Sequence, residues 1–236
     1  MFQAIMNFFT WKEFYTNPDA APLSAEEQFG ISLGHILGKI NRFYTNSLDA
    51  TKDIKSHKKS MVKWWGISDK ISAQETLAWC IQDGHRGLYN HLAELFIECD
   101  GNKDKLDKSD KNYATIAGYF DSVNELLATD EGKKWFPDFK NDFTVMCDAW
   151  DLGRAIFVSR FSYSAGYITE DLAWQYIKHA RKLAQMYYDN WHDFAKSYLL
   201  GRAFWNGKND FDMFSRNIDA LMTHADSPWV KHGWLK

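Results

Sequence analysis

The stretch that decides the fold runs from Trp150 to Trp174 and reads WDLGRAIFVSRFSYSAGYITEDLAW. Trp150, Phe157 and Phe161 recur at helical intervals, and Phe143 and Cys147 extend the same inner side towards the amino end. Phe136-Pro137 marks where this long helix is expected to begin and Tyr163 where it should end. Gly166 stands where a left-handed residue would stop it. Thr169 then caps a second helix, with Glu170 and Asp171 favourable at its positive end. The prediction is a tight helical hairpin.

Outward from the hairpin, the same 3.6-residue period dominates. Only four prolines occur, and alternating β-branched runs are scarce. The reading is all-α: a single compact multi-helix domain over 1–236, about eight to ten helices with the hairpin at its centre. Ser24 and Glu27 form a capping box that opens a helix carrying Phe29, Leu33, Ile36, Leu37, Ile40 and Phe43 on one face. Gly30, Gly34 and Gly38 line it at four-residue steps, a strip that lets a neighbouring backbone approach closely. Residues 45–63 are polar and lysine-rich and read as a solvated helix or loop. Ser72 and Glu75 suggest a second capping box, opening a helix that buries Leu77, Ile81, Leu88, Leu92 and Leu95. Residues 99–112 read as a charged loop, and Tyr113, Ile116, Ala117, Phe120, Val123 and Leu127 as the next stripe. Asn190 or Asp189 caps a helix with Trp191, Phe194, Ala195, Tyr198, Leu199 and Trp205 along one side. A last helix holds Phe211, Phe214, Ile218 and Leu221, and Ser227-Pro228-Trp229 ends the packing.

Composition narrows the function classes. The 236 residues carry 28 basic and 31 acidic side chains, a formal net charge of −3, so no global field recruits nucleic acid or an anionic membrane. Eleven tryptophans and seventeen phenylalanines supply ample core. Cys80, Cys99 and Cys147 are odd in number and lack paired spacing, which fits free thiols in a reducing compartment and places the chain in the cytoplasm. The apolar start, Phe2, Ile5, Met6 and Phe9, has helical spacing and no basic region before it, so a packed terminal helix is expected rather than a signal peptide. No run is long and apolar enough for a membrane span.

Chemistry, where it can be read at all, centres on arginine. Arg154 follows Trp150 by four residues, and Arg202 lies about three turns after Trp191, so both fall where the period expects core residues. A guanidinium keeps its charge and must find acids, carbonyls or an anion. Asp148 and Asp151 are placed to serve Arg154. Two readings stand open. In one, the arginines pin helices through carboxylates and carbonyls. In the other, Arg154 and Arg202, with His85 and Arg86, line a site for phosphate or carboxylate. His85, beside Gly84 on an apolar face, reads either as a satisfied core histidine or as a general base.

Other signatures fail on inspection. No His-Glu-x-x-His or Glu-x-x-His occurs, so no metal site is expected. Asp100-Gly101-Asn102-Lys103-Asp104 begins like a calcium loop, but Lys105 and Lys111 occupy its glycine and bidentate-acid positions. No Walker loop, nucleophile elbow or dinucleotide fingerprint appears, and no cofactor is expected.

A set of short blocks carries a family resemblance. These are Trp65-Gly66-Ile67, Gly84-His85-Arg86, Trp150-Asp151-Leu152-Gly153-Arg154, Gly166 to Trp174, Ser197 to Arg202, Phe204-Trp205 and Ser227-Pro228-Trp229. In their order and spacing the chain resembles the YbeU/YbeR-like bacterial proteins, catalogued as domain of unknown function 1266, over about residues 64–234. Residues 1–63 then stand as an amino-terminal helical extension. The resemblance implies a soluble bacterial protein and brings no reaction or catalytic residues. The functional expectation is a non-enzymatic protein-interaction module, by analogy of type an immunity protein that neutralises a cognate toxin. The alternative is a small-anion-binding protein or enzyme built on the Arg/His cluster.

Overall fold

A computed structural model of the chain describes residues 13–236. The helix expected from Phe2 to Phe9 lies outside the described residues. Among the described residues thirteen α-helices follow one another: α1 (Ala25–Leu33), α2 (His35–Ile40), α3 (Ile54–Trp65), α4 (Lys70–Gln82), α5 (Arg86–Glu98), α6 (Tyr113–Leu127), α7 (Asp130–Trp135), α8 (Phe139–Asp142), α9 (Asp148–Ser164), α10 (Glu170–Tyr187), α11 (Trp191–Asn206), α12 (Phe211–Thr223) and α13 (Pro228–His232). Among the described residues no strand forms, and a lone bridge pairs Tyr15 with Tyr44. The all-α expectation holds.

The predicted hairpin is α9–α10. Gly166 takes φ of 75° after α9, and the Thr169 side chain accepts from the Leu172 N–H at the start of α10. α9 is the axle of the molecule. Every residue from Ala149 to Ser162 is buried, with α10, α11, α4, α1, α2 and α5 packed around it. A helix enclosed on all sides cannot show a single apolar stripe. Its polar residues, Asp151, Arg154, Ser159, Arg160 and Ser162, must therefore find partners inside, and of their buried polar side-chain atoms only Arg160 Nη1 and Ser162 Oγ find none among the described residues.

Several boundaries differ from expectation. The long helix predicted from Phe136 is interrupted: Met146 takes φ of 60°, and α9 starts only at Asp148. The helix predicted from Ser24 breaks at Gly34 into α1 and α2. The glycine strip does serve close packing, since a Cβ at Gly30 would stand 2.8 Å from Ile177 Cγ2 and one at Gly34 2.7 Å from Ile156 Cγ2. The second capping box is built one turn earlier than predicted, with Asp69 as N-cap and Ser72 at N3. Its helix ends at Gln82, so Leu77 belongs to α4 and Leu92 to α5, and Leu88 is exposed.

The lysine-rich segment divides in two. α3 is mostly solvated, but Phe43, Thr45, Ser47, Leu48 and Ala50 in the preceding loop are buried. Polar side chains concealed the role of that loop, which is carried by its backbone carbonyls. Arg160 of α9, fully buried, donates from Nη2 to the carbonyls of Ser47 at 2.7 Å and Asp49 at 3.1 Å, and also to Tyr44 at 2.5 Å. The amino-terminal helices are equally integral to the core. Trp229 of α13 donates to the Ser32 carbonyl at 2.8 Å and stacks on Trp191, rings 4.4 Å apart and 8° from parallel.

Candidate functional site

The Gly84-His85-Arg86 and Trp150–Arg154 blocks meet at one joint. α4 ends and α5 begins within three residues, so the last carbonyls of one helix and the first N–H groups of the next need partners together. Arg86 folds back on α4 and donates to the carbonyls of Cys80 at 2.8 Å and Gln82 at 2.9 Å, and to Ile81. Its cation thus caps the negative end of α4. The N–H groups of His85 and Arg86 both donate to Asp151 Oδ2 at 2.8 Å, which places a carboxylate on the positive end of α5. Gly84 makes this approach possible. It takes φ of 58°, and a Cβ there would lie 2.1 Å from Asp151 Oδ2.

Asp151, fully buried, is also the counter-ion of Arg154, with Nη1 3.2 Å from Oδ1. Burial pushes its carboxyl above the usual range, while Arg154, the two N–H groups and Arg86 pull the other way. The anion that an inward arginine demands is thus supplied by the chain itself. Arg154 is further enclosed by the rings of Trp150, Trp65 and Trp79, whose centroids lie 5.0, 5.2 and 5.2 Å from Cζ.

His85 sits at the N-cap of α5 rather than on an apolar helical face. Its Nδ1 is 3.0 Å from Arg154 Nη1. A guanidinium only donates, so Nδ1 accepts and the ring proton rests on Nε2. Burial, and then the Arg154 charge, lower its pKa to about 4. The 3.9 Å approach to Asp151 Oδ1 is therefore no ion pair at neutral pH. With its lone pair engaged, the ring offers a donor and not a base.

The predicted cluster does not assemble as a whole. Asp148 lies six residues from Arg154, off its helical face, and approaches Arg86 Nε at 3.8 Å and Asn90 at 3.1 Å instead. Arg202 is buried at another corner, α11–α12, where it donates to the Asn209 carbonyl at 3.0 Å, approaches Asp210 at 3.6 Å and covers the Phe214 ring at 4.8 Å. Arg86 is occupied with α4. Of the four expected anion-binding side chains, only Arg154 and His85 reach a common cavity.

That cavity opens directly over the joint. It encloses about 410 Å³ and is lined by Trp64, Trp65, Glu75, Thr76, Trp79, His85, Arg154 and Trp205. The His85 ring meets Trp79 and Trp205 edge-on, centroids 4.8 and 5.0 Å away. Trp205, expected in the core, is 53% exposed, and Trp64 is 73% exposed. Adjacent residues on a helix point about 100° apart. Trp205 follows buried Phe204 by one residue, next to the end of α11, and Trp64 points away from the half-buried Trp65. The period along α11 places Trp205 with the core residues, so the sequence carries no signal for this rim.

Among the described residues no cluster of three or more His, Cys, Asp or Glu could hold a metal, and no helix is long and apolar enough to cross a membrane. No curated protein and no solved structure matches the chain. Residues 60–234 match the sequence model described as "Protein of unknown function (DUF1266)", and the chain belongs to that family.

Proposed function

We propose that this chain is a protein-interaction module that docks its partner on the tryptophan rim above Arg154. The observation that carries the reading is the pair of exposed indoles, Trp64 and Trp205, standing over an open cavity. Tryptophan and arginine are the side chains that most often dominate binding energy at protein interfaces. A buried indole removes some 150–250 Å² from water, at about 25 cal/mol per Å² of apolar surface. Val62 and Ile71, exposed on α3 and α4, extend the apolar character of the same two helices. Arg154 is pre-positioned by Asp151, so a partner would meet a floor already held in place.

The narrower form of this reading, by analogy of type, is a bacterial immunity protein whose partner is a toxin encoded beside it. Its place would be the cytoplasm, which suits three buried, unpaired thiols. The test is to express the chain with a neighbouring toxin. The wild type should bind the toxin and protect the cell, and a folded Trp64→Ser, Trp205→Ser variant should do neither. Protection and binding unchanged in that variant would refute the docking face.

A second reading, a small-anion site, draws on Arg154 and His85 at the cavity floor. Phosphorylated or carboxylate metabolites at a hundred times their dissociation constant should then stabilise the fold by about 2.7 kcal/mol. That stabilisation should vanish in Arg154→Met. No shift with any anion would remove this reading and leave the docking face standing.

A further inference from the structure

A second cavity lies on another part of the molecule, between the start of α1 and the middle of α10, and encloses about 300 Å³. At its floor is Arg181, only 8% exposed, on the face of α10 that also buries Ala173, Ile177, Ala180 and Ala184. Its acid partner is Glu26, with Nη1 2.7 Å from Oε2, yet the Glu26 side chain is 68% exposed. Arg181 Nε, also buried, finds no acceptor among the described residues. The pair is therefore unequal: a guanidinium fixed in the wall and a carboxylate standing in solvent. An exposed acid held at one contact gains little from staying, and the guanidinium fork is shaped for two-point binding of a carboxylate.

We propose that this cleft binds a carboxylate-ended ligand bearing an apolar group, and that Glu26 is a placeholder which the ligand's carboxylate displaces from Arg181. Trp174 and Ile177 line the cavity and give the apolar group its wall, and the exposed Lys178 adds a second cation. Glu27 does not compete for Arg181. Its carboxylate is engaged by Ser24, accepting from the backbone N–H at 2.8 Å and from the hydroxyl at 2.7 Å, and these bonds hold its pKa below the ordinary value. It does keep a negative charge beside the cleft, which selects a singly charged carboxylate over phosphate. The cleft joins α1, ahead of the family-matched residues, to α10 within them, so the amino-terminal segment completes it. The inference is independent of the tryptophan rim.

The test uses the full chain and N-acetyl-leucine, with its amide and inorganic phosphate as contrasts, followed by titration calorimetry or by shifts of the Trp174 indole signal. N-acetyl-leucine should bind, and the amide and phosphate should not. Arg181→Met should weaken binding about tenfold or more, the loss of a charge-assisted contact. Glu26→Gln, with its fold checked by circular dichroism, should tighten it by up to about fivefold by removing the placeholder charge. A short peptide ending in leucine that binds more tightly than N-acetyl-leucine identifies a protein carboxyl terminus as the source. Equal affinity identifies a free carboxylate. Binding of the amide as well as the acid, stronger binding of phosphate, or absence of acid binding in both wild type and Glu26→Gln would overturn the proposal. These contrasts decide the matter even if Arg181→Met does not fold.

Discussion

Arg154 and Arg160 lie six residues apart on the same buried helix and solve the same problem in opposite ways. Arg154 is neutralised by an acid, Asp151, and roofed by indoles, and it borders an open cavity. Among the described residues Arg160 reaches no acid at hydrogen-bond distance. It is fully buried and holds the loop before α3 through its carbonyls. Burial lowers the Arg160 pKa to about 9, opposed by Asp49, so it remains charged at neutral pH. An arginine with its own counter-ion can stand at the edge of a site, because its charge needs nothing from a ligand. One bound to carbonyls alone serves as a staple for the loop it gathers.

The largest expected effect is therefore at Arg160. Arg160→Met leaves several buried carbonyls without donors, at about 1–3 kcal/mol each, so a loss of roughly 5 kcal/mol is expected in urea unfolding. Asp151→Ala should cost about 3–5 kcal/mol, because Arg154 is left charged and unpaired. The contrast sharpens in double variants. Adding Arg154→Met to Asp151→Ala should recover part of the loss, since both partners are then gone. If it recovers nothing, the account of Arg154 as an acid-compensated arginine fails.

Gly84→Ala should follow, at about 2–3 kcal/mol, from the left-handed backbone and the collision with Asp151. Equal stability of Gly84→Ala and wild type would mean that the α4–α5 joint is looser than its geometry.

Each arginine also has a histidine beside it, so pH probes both. His35 is fully buried and donates from Nδ1 to the Ile31 carbonyl at 3.0 Å. Burial, then Arg160, lower its pKa from 6.5 to about 3, as burial and Arg154 lower that of His85 to about 4. Both folded values lie below the unfolded one, so the unfolded chain takes up protons first. Their contribution is present above about pH 6.5 and is lost as pH falls towards the folded values. The urea midpoint should drop between neutral pH and about pH 5. His85→Asn should reduce that drop. A variant as acid-sensitive as wild type would assign the whole effect to the Arg160 side.

The smallest effect distinguishes two lysines of the solvated segment. Lys58 donates to the Ala165 carbonyl at 2.9 Å and lies 4.8 Å from the Tyr167 ring centre, at the end of α9. Lys58→Met should cost about 1 kcal/mol and Lys52→Met no more than about 0.5 kcal/mol. Equal values would make the Lys58 contact a surface accident.

Legibility in the sequence followed locality. Ser24, Thr169, Asn190 and Gly166 announced helix ends because caps are settled within four residues of chain. Asp151 could be paired with Arg154 because three residues on a helix face each other. Arg160 was missed, although it is the sole charged residue between Arg154 and Glu170. Its partners are carbonyls more than a hundred residues away in sequence. Arg86 was read as a site residue because nothing local says that its side chain turns back on the preceding helix. Trp205 was assigned to the core by period alone, which does not say where a neighbouring helix ends.

The sequence by itself determined that the chain is helical, where several caps fall, and that charged side chains must be satisfied within its core. These follow from periodicity, capping chemistry and the permanence of the guanidinium charge. The tertiary structure decided what satisfies them. Asp151 became both helix cap and counter-ion only because α9 crosses the α4–α5 joint at Gly84. The tryptophan rim exists only because α3, α4 and α11 each bring an indole to one cavity. Such partners are fixed by the packing of distant segments, which no local pattern of residues encodes.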